Sequence, residues 1–408
     1  MNEPPNPSLP SAPAVPDWLA QRLVAAGGSV PFATYMQWVL HDPQVGAYAT
    51  GRLRVGPTGD FATSPSLGPD FAALLAPQLV EWFGHWPQES ADRLCLVETG
   101  PGEGSLALDL ANSLVDQCPG LANRLDLVLV EPNRGMAERQ RQRLVDCPIP
   151  VRWASFDELA QAPVRGVVLA HEVLDALPVE RIEWDGALWR QQVVRLQGDP
   201  SQGFSLRLAP GEPLSPEQLA QLEPYGLLVP NPHRLPGWCS EWHSGVQPWL
   251  AACGGALAQG FLLVVDYALE AWRYYANQRS QGTLMAYRQQ TASADPLAEP
   301  GHWDLTAHLC LDALQNDAKH CGWQPLGQCR QGEALLALGL AQRLHGLQQL
   351  DPADLAMALA RRESLLRLVD PAGLGEFRWM AFGRGLGLEE PALPRFLRPP
   401  GQIGRAHV

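Results

Sequence analysis

The sequence has little positive charge and no long apolar run. Thirty lysine and arginine residues face 43 aspartate and glutamate residues, so the net charge at pH 7 is −13. Because no basic stripe offsets this charge, the chain is a poor partner for a phosphate backbone, and we expect no nucleic-acid partner. No apolar stretch approaches the roughly 20 residues of a membrane-spanning helix, so we expect a soluble protein without a membrane span.

Paired cysteines and an early basic residue are also absent. The eight cysteines form no C-x-x-C pair. This spacing disfavours a disulfide framework or a zinc site, so we predict reduced thiols and no metal.

The first 16 residues are rich in proline, and the first arginine is Arg22. Secretory signals and mitochondrial presequences need basic residues, so we predict a cytoplasmic protein.

Length and composition set the domain organisation that we expect. A chain of 408 residues that is 46% hydrophobic can bury a full core and exceeds the usual single-domain size. We predict a disordered proline-rich tail at 1–20, a helical and loop extension at 21–90, a main α/β domain at 91–390 with an inserted lobe at about 197–240, and a loose tail at 391–408.

A glycine-rich turn lies between an apolar run at 94–97 and a helical pattern at 105–115. The continuous apolar run is typical of a buried parallel strand. Its glycines, Gly100, Gly102 and Gly104, allow a close backbone approach to a ligand, and we include Pro101 with them among the candidate cofactor-binding residues. Open α/β sheets bind ligands at the carboxyl ends of their strands, so this turn is a candidate cofactor loop. A simple helix-capping loop would have the same pattern.

Two cofactor classes use such a turn, and the flanking acids distinguish them. A dinucleotide site has G-x-G-x-x-G and places a phosphate at the helix N-terminus, where this chain has Glu103. S-adenosylmethionine has no phosphate and carries a sulfonium, an ammonium and two ribose hydroxyls, which suit nearby carboxylates. Glu98 ends the first apolar run, and Glu131 ends the next one at 125–130. We therefore predict an S-adenosylmethionine site in which Glu131 accepts the ribose hydroxyls.

A second loop at 56–65 is rich in glycine, proline and hydroxyl groups. We include four of its residues among the candidate cofactor-binding residues, namely Gly59, Asp60, Thr63 and Ser64. Asp60 could accept the ammonium of the methionyl group or cap a turn. Ser64 with Pro65 could instead form an ordinary helix start.

The next buried strand, at 167–170, is followed by the sequence HEVLDALPV. Glu172 and Asp175 are three residues apart, so in a helical turn both carboxylates would point to one side, as a guanidinium clamp requires. The alternative is that both acids only complement a helix dipole. Elsewhere we expect a hairpin at 181–196 and helices at 241–253 and 331–345, and a helix start capped by Asp304 or Thr306.

Several motifs in order resemble the MidA-like methyltransferases, a family that includes a mitochondrial arginine methyltransferase that assists assembly of respiratory complex I. They are F-x-x-Y-M at 32–36, H-D-P-x-x-G-A-Y at 41–48, G-D-F-x-T-S-P at 59–65, E-x-G-P-G-x-G at 98–104, H-E-x-x-D-A-L-P-V at 171–179, D-L-T-A-H at 304–308, Q-G-E-A-L-L-A-L-G at 331–339 and G-E-F-R at 375–378. The resemblance implies a Rossmann-like class I methyltransferase sheet with helices on both faces and S-adenosylmethionine as donor. It also implies that the acceptor is a protein arginine, in a subunit of a respiratory complex.

The chain also departs from the family. His171 stands where the family usually has asparagine, Ser66 and Ala268 replace other family residues, and a family histidine is missing near Gln289 and Gln290. We expect donor binding to survive these changes. We expect these changes to affect the choice of acceptor more than donor binding. The resemblance implies that His171 and the 285–295 loop lie where a family member presents its substrate. We therefore place His171 with Glu172 and Asp175 as candidate catalytic residues, with a core packing role as the alternative for His171.

Three hypotheses of different classes remain at this point. The first is a protein arginine methyltransferase. The second is a small-molecule or nucleic-acid methyltransferase, against which stand the acidic charge and the lack of an Asn-Pro-Pro-aromatic turn after the fourth strand. The third is an assembly factor that binds the donor without catalysis.

Overall fold

The fold is taken from a computed structural model, which describes residues 15–53, 56, 63–87, 93–199, 201, 203–387 and 392–399. Its strands are β1 (Ser29–Pro31), β2 (Leu94–Thr99), β3 (Leu125–Val130), β4 (Val151–Trp153), β5 (Val164–His171), β6 (Glu180–Trp184), β7 (Trp189–Asp199), β8 (Gly203–Pro213), β9 (Trp238–Trp242), β10 (Leu257–Asp266), β11 (Ala268–Leu269), β12 (Met285–Arg288), β13 (Thr291–Ser293), β14 (Asp304–Thr306), β15 (Leu309–Cys310), β16 (Gln324–Arg330) and β17 (Arg378–Arg384).

The α-helices are α1 (Asp17–Ala25), α2 (Phe32–Met36), α3 (Asp70–Phe83), α4 (Ser105–Gln117), α5 (Pro119–Ala122), α6 (Arg134–Arg143), α7 (Phe156–Gln161), α8 (Pro216–Leu222), α9 (Val246–Ala256), α10 (Ala271–Tyr274), α11 (Leu311–His320), α12 (Gln331–Ala337), α13 (Leu340–Leu347) and α14 (Leu355–Arg367). A π-helical turn, Gln37–His41, continues α2, and a 3-10 turn, Pro65–Leu67, precedes α3. None of the helices in the described ranges has both the length and the apolar character that crossing a bilayer requires.

A seven-stranded sheet with the order β16-β17-β10-β5-β2-β3-β4 forms the centre of the molecule. The five strands from β10 to β4 are parallel, and β17 is antiparallel to both β10 and β16. The chain leaves β2 towards β3 and β4 and then returns to β5 on the other side of β2. This reversal opens a crevice at the carboxyl ends of β2 and β5, the place where such sheets bind ligands.

Helices cover both faces of this sheet. Alternate strand residues explain this, because Leu96 packs into the core beneath α3 and α4, while its neighbour Val97 packs into the core beneath α9 and α11. Both residues are buried, as are almost all positions of the central strands. The predicted Rossmann-like sheet with helices on both faces is confirmed.

A second sheet has the order β1-β7-β6-β9, with β8 on the free edge of β7. The lobe predicted at about 197–240 is therefore larger, because its strands extend from β6 to β9 and recruit β1 from the N-terminal extension. Its prolines misled the prediction. Pro210 and Pro213 lie in β8, an edge strand, where a missing N–H is tolerated.

Both predicted tail boundaries are wrong in the residues that the structure describes. Helix α1 begins at Asp17, inside the predicted tail at 1–20, and buries Leu19 and Leu23 in a core shared with α2 and β14. In the predicted loose tail at 391–408, Phe396 is 1% exposed, and its N–H donates to the Gln78 side chain at 3.1 Å. Single apolar residues gave no periodic signal that could reveal this docking.

Three secondary-structure predictions need correction. The helix predicted at 241–253 begins only at Val246, because Glu241 belongs to β9, where its carboxylate accepts from the Thr283 N–H at 2.7 Å. The helix predicted at 331–345 is two helices, separated where Gly339 has a left-handed φ of +107°. The cap candidates Asp304 and Thr306 lie in β14, which pairs with β12, and the following helix α11 starts at Leu311.

Candidate active site

The glycine turn after β2 has a backbone that side chains other than glycine rarely adopt. Gly100, Gly102 and Gly104 have φ values of +56°, +52° and +79°. The Gly104 N–H donates to the Pro101 carbonyl at 2.8 Å, which closes the turn at the start of α4. A Cβ on Gly100 would lie 3.0 Å from Val173, whereas a Cβ on Gly102 would meet no atom within 4 Å. Gly102 therefore presents bare backbone to open space.

Glu98 lies at the carboxyl end of β2 and is 4% exposed. Its Oε2 has no hydrogen-bond partner among the described residues, and burial raises the pKa of this carboxyl to about 8. The adjacent Thr99 hydroxyl is buried and equally lacks a described partner. An unsatisfied buried acceptor is unfavourable, so this edge of the sheet is suited to a ligand that supplies hydrogen-bond donors.

Glu131, after β3, is held by a network that reaches the glycine turn. Its Oε1 accepts from the Asn133 N–H at 2.8 Å, and its Oε2 accepts from Gln140 Nε2 at 3.0 Å. Gln140 Nε2 also donates to the Gly102 carbonyl at 2.8 Å, and Gln140 Oε1 accepts from Trp153 Nε1 at 2.8 Å. Burial raises the pKa of Glu131. The two predicted cofactor elements are therefore joined through one side chain.

Gln140 was missed from the sequence. It is completely buried on α6 although the helix is strongly polar. The only signal was its position, because it follows Met136 and Ala137 on the buried side of the helix at i+4 and i+3. A buried glutamine at that place needs several partners, and the site supplies them.

The second predicted loop is described only in part, because Gly59 and Asp60 lie outside the described residues. Thr63 and Ser64 are buried, and the Thr63 N–H donates to the Ser66 hydroxyl at 2.9 Å. The Ser64 hydroxyl contacts the Gln331 side chain, while the Ser64 backbone opposes the rise in the pKa of Glu172 that burial causes. Ser64 is therefore placed beside the candidate catalytic acids.

The segment after β5 is not the helical turn that the sequence predicted. Glu172 has a left-handed φ of +52°, and its N–H donates to the Val265 carbonyl of β10 at 2.9 Å. Asp266 then organises the segment, since its Oδ2 accepts from the N–H groups of Leu174 and Asp175 at 3.0 and 3.2 Å. Glu172 and Asp175 lie close together because the Asp266 carboxylate of β10 holds the backbone of their loop. The sequence spacing predicted this proximity, but it attributed the proximity to a helical turn.

Four carboxyl groups face one another at this edge and are called the carboxyl cluster: Glu172, Asp175, Asp266 and Asp304. Burial, followed by the charge of Asp266, raises the pKa of Glu172 and of Asp175 well above the ordinary values. Burial also raises the pKa of Asp266 to about 7, although backbone N–H groups oppose the shift. Among the described residues, no arginine or lysine forms an ion pair with Glu172, Asp175 or Asp266.

Asp304 joins the cluster from β14 and was not identified as a site residue from the sequence. Its carboxylate accepts a hydrogen bond from the Tyr48 hydroxyl at 2.6 Å. Strand pairing places Asp304 opposite Tyr287 of β12. Gln289 and Gln290 have left-handed φ values of +48° and +62° at the β12–β13 turn, which is the conformation of a tight hairpin.

His171 ends β5 in an aromatic environment. Its ring lies edge-to-face on Phe71 with centroids 5.2 Å apart, and the Phe377 ring is 6.3 Å away. Burial lowers the pKa of His171 to about 3, so the imidazole is neutral. Its Nδ1 is 3.4 Å from Glu172 Oε1, and its Nε2 has no hydrogen-bond partner among the described residues. The ring can orient Glu172, and its packing also fits the core role that was the alternative.

Two cavities elsewhere are distinct from this edge. One of about 340 Å³ lies between the lobe and α11, and one of about 890 Å³ lies between α3 and the helices α12–α14. Neither is lined by the glycine turn or by the carboxyl cluster. The chemistry-bearing groups instead converge at the carboxyl edge of β2, β5 and β10.

Comparison with known proteins identifies the family of the chain. Residues 74–329 match a family described as "Putative S-adenosyl-L-methionine-dependent methyltransferase". The mitochondrial protein arginine methyltransferase NDUFAF7 homolog of Drosophila melanogaster is 28% identical over 357 residues, covering 80% of this chain and 77% of that protein. The Danio rerio protein arginine methyltransferase NDUFAF7, also mitochondrial, is 27% identical and covers 81% of this chain and 77% of its own length.

A solved structure is similar over nearly the whole chain. It is a methyltransferase-like protein from Burkholderia thailandensis with bound S-adenosyl-homocysteine, 29% identical, with a TM-score of 0.79 over 95% of this chain and 98% of that one. The family match covers more than half of the present chain. Together with the sheet order and the glycine turn, these matches show that the chain belongs to the S-adenosyl-L-methionine-dependent methyltransferases and uses that cofactor as methyl donor.

Proposed function

We propose that this methyltransferase transfers a methyl group to an arginine side chain of a protein acceptor. The observation that carries the proposal is the carboxyl cluster, a group of buried acids beside the donor edge. Glu172, Asp175 and Asp266 form no ion pair with a lysine or arginine of the described residues. An isolated buried carboxylate is strongly unfavourable, so the cluster is suited to a cation that arrives from outside.

The donor side of the proposal rests on residues 98–104 and 131. S-Adenosylmethionine supplies an electrophilic methyl group on a sulfonium. The open side of Gly102 admits the ligand to the backbone, and the unpartnered Glu98 Oε2 accepts a hydrogen bond from it. Glu131 accepts the ribose hydroxyls, because each oxygen that already has one protein donor retains a second lone pair. Thr63, Ser64 and the Gly59–Asp60 segment belong to the same proposal.

The acceptor side must bring a cation close to a second cation. A guanidinium is planar and always charged, and two carboxylates can hold its nitrogens in a defined orientation. Without the acceptor, the raised pKa values of Glu172 and Asp175 leave these groups readily protonated. A bound guanidinium favours their ionised forms, so acceptor binding releases protons and offsets the positive charge beside the sulfonium. The new N–C bond forms as the methyl group leaves the donor sulfur, which gives S-adenosyl-homocysteine, and an ionised carboxylate of the cluster accepts the proton that the methylated nitrogen loses.

The relatives support the choice of acceptor. Both the Drosophila and the zebrafish proteins are named protein arginine methyltransferases. Their names also place them in mitochondria, whereas the cytoplasmic location of this chain remains our prediction. A protein acceptor agrees with a site built on a carboxyl edge that the N-terminal extension and the β12–β14 sheet flank.

The test is transfer of labelled methyl from S-adenosylmethionine to proteins of a lysate, followed by acid hydrolysis and amino-acid analysis. We expect the label in methylarginine, and none with Gly102→Val. Label in another amino acid would overturn the arginine assignment. Label only in small molecules would favour the small-molecule alternative, and donor binding without any label would favour the assembly factor.

A further inference from the structure

Tyr48 belongs to the N-terminal extension, yet its hydroxyl reaches the carboxyl cluster. The hydroxyl donates to the Asp304 carboxylate at 2.6 Å, across 256 residues of sequence. O–H···O⁻ bonds of about 2.5–2.7 Å are charge-assisted and roughly twice as strong as neutral ones. Burial raises the pKa of Tyr48, and the charges of Asp304, Asp175 and Glu172 raise it further, so the phenol lies beside these three carboxyls.

The segment that carries Tyr48 is anchored on both sides of the cluster. His41 Nε2 lies 2.9 Å from the carbonyl oxygen of Ala176, the residue after Asp175, and the His41 ring is 5.5 Å from the Tyr48 ring. Between them, Gly46 has no room for a side chain, because a Cβ there would lie 2.6 Å from the Leu40 carbonyl. The motif H-D-P-x-x-G-A-Y therefore forms a compact turn that contacts the loop after β5 through His41 and β14 through Tyr48.

The carboxyls of the cluster differ in how their oxygens are engaged. Both oxygens of Asp266 accept backbone N–H groups, from Leu174, Asp175 and Tyr267. Asp304, on β14, accepts a side-chain hydroxyl from the N-terminal extension. The titratable groups around Asp304 include both its direct neighbours and the groups next to those neighbours. They are Tyr48, Glu172, Asp175, Asp266, Tyr267, Tyr287 and His41.

We propose that Tyr48 is a positioning residue of the acceptor site, whose hydroxyl orients the Asp304 carboxylate towards the cation that Glu172 and Asp175 bind. The inference rests on the proposed function, since it takes the cluster to be a cation site. It extends the acceptor site to the N-terminal extension and to β14, so three remote segments define where the acceptor nitrogen lies. By donating to Asp304, the Tyr48 hydroxyl favours the ionised form of this carboxyl, which acts on the cation together with Glu172 and Asp175.

The chain offers a matched control in Tyr35. Its hydroxyl, also buried in the extension, donates at 3.0 Å to the Pro296 carbonyl, a backbone group of the segment that leads to β14. Tyr48→Phe and Tyr35→Phe thus each remove one hydroxyl that ties the same two segments together. A structural role alone predicts that both variants lose stability and neither changes cation binding.

The experiment measures ethylguanidinium binding by calorimetry between pH 5 and 9, with the full chain saturated with S-adenosyl-homocysteine. We expect Tyr48→Phe to weaken binding at pH 7 at least about tenfold and to move the pH midpoint upwards, because an acid that loses a donor ionises less readily. Tyr35→Phe should keep the wild-type affinity and midpoint. Tyr48→Phe should add little to Asp304→Asn, because both act through one contact.

Wild-type affinity and pH midpoint in Tyr48→Phe would overturn the inference, as would additive effects of Tyr48→Phe and Asp304→Asn. A wild-type protein that binds no ethylguanidinium at any pH would overturn it as well. If the wild type binds ethylguanidinium with the expected dependence on Tyr48 but labels no arginine, the proposed function fails while the positioning role stands.

Discussion

The proposed donor half and the proposed acceptor half of the site are built in different ways. Apart from the 59–64 loop, the donor half comes from two adjacent strand ends and the helices that follow them, with Gly102 and Gln140 only 38 residues apart. The acceptor half joins Tyr48, the β5 loop, Asp266 and β14, and its Tyr48–Asp304 contact spans 256 residues. A site encoded in short stretches tolerates change elsewhere in the chain, whereas a site assembled from remote segments depends on how those segments pack.

The largest effect that we expect tests the donor half. Gly102→Val combines a left-handed φ of +52° with a branched side chain in the space where the donor approaches, so donor affinity should fall at least about a hundredfold. Calorimetric titration with S-adenosylmethionine measures this. Gly237→Val is the control, because Gly237 also has a positive φ, +88°, and open space but lies in the lobe. Equal donor affinity in the two variants would show that the donor does not bind at the glycine turn.

Glu131→Ala should weaken donor binding by about 1–3 kcal/mol, since the ribose hydroxyls and Gln140 lose their acceptor. The exposed Glu138, on α6 with Gln140, is the control position, and Glu138→Ala should bind donor normally. A donor analogue without the ribose hydroxyls sharpens the test. If wild type and Glu131→Ala lose the same affinity on going to that analogue, Glu131 does not contact the ribose.

The acceptor half responds differently. Glu172→Gln should leave donor binding nearly intact and slow methyl transfer at least about tenfold, which corresponds to about 1.4 kcal/mol of lost orientation and charge compensation. Single-turnover transfer with bound donor measures this. Should Glu172→Gln and Asp175→Asn both transfer at the wild-type rate while Asp60→Asn does not, the clamp lies on the 59–65 loop instead.

The smallest expected effect is on stability. Burial raises the pKa of Glu98 to about 8, so the folded protein binds a proton that the unfolded chain releases above its ordinary value near pH 4.5. This contribution to stability is complete below about pH 4.5 and is lost as the pH rises towards 8. Glu98→Gln should therefore melt about 2 °C or more above wild type at pH 8, and at the same temperature as wild type near pH 4.5.

The same substitution should weaken donor binding, because the amide lacks the negative charge of a ligand-bound carboxylate. Melting curves without donor, followed by donor titration, measure the two effects on one variant. A Glu98→Gln protein that is less stable at pH 8 would show that the carboxyl has a partner that stabilises its charge.

The signals that led to the proposed donor half are local in the sequence. An apolar run that ends in an acid recurs at β2 and β3, a glycine turn follows the acid of β2, and each of these signals occupies fewer than a dozen residues. Gln140 was missed because a polar residue on a polar helix adds nothing to the hydrophobic periodicity of the sequence. Only the packing of α6 shows that its side chain faces inwards.

The acceptor half could be predicted only in part. Glu172 and Asp175 were identified from their spacing, but the loop geometry depends on Asp266, which lies 91 residues after Asp175. Asp304 was taken for a helix cap because a short acid-hydroxyl segment before a helix has the same composition whether it caps or pairs as a strand. Tyr48 lay within a recognised motif, yet nothing in the motif indicates which remote side chain its hydroxyl meets.

The docking of Phe396 also bears on the order in which the molecule can be completed during synthesis. Its ring contacts Trp82 of α3 and Trp379 of β17, with centroids 6.4 and 5.5 Å apart. Until the ribosome has released residue 396, the aromatic slot between these rings is open to solvent in the nascent chain. Truncation before that residue should therefore yield a protein that folds slowly and aggregates through the uncovered tryptophans, although every residue of the donor turn would be present.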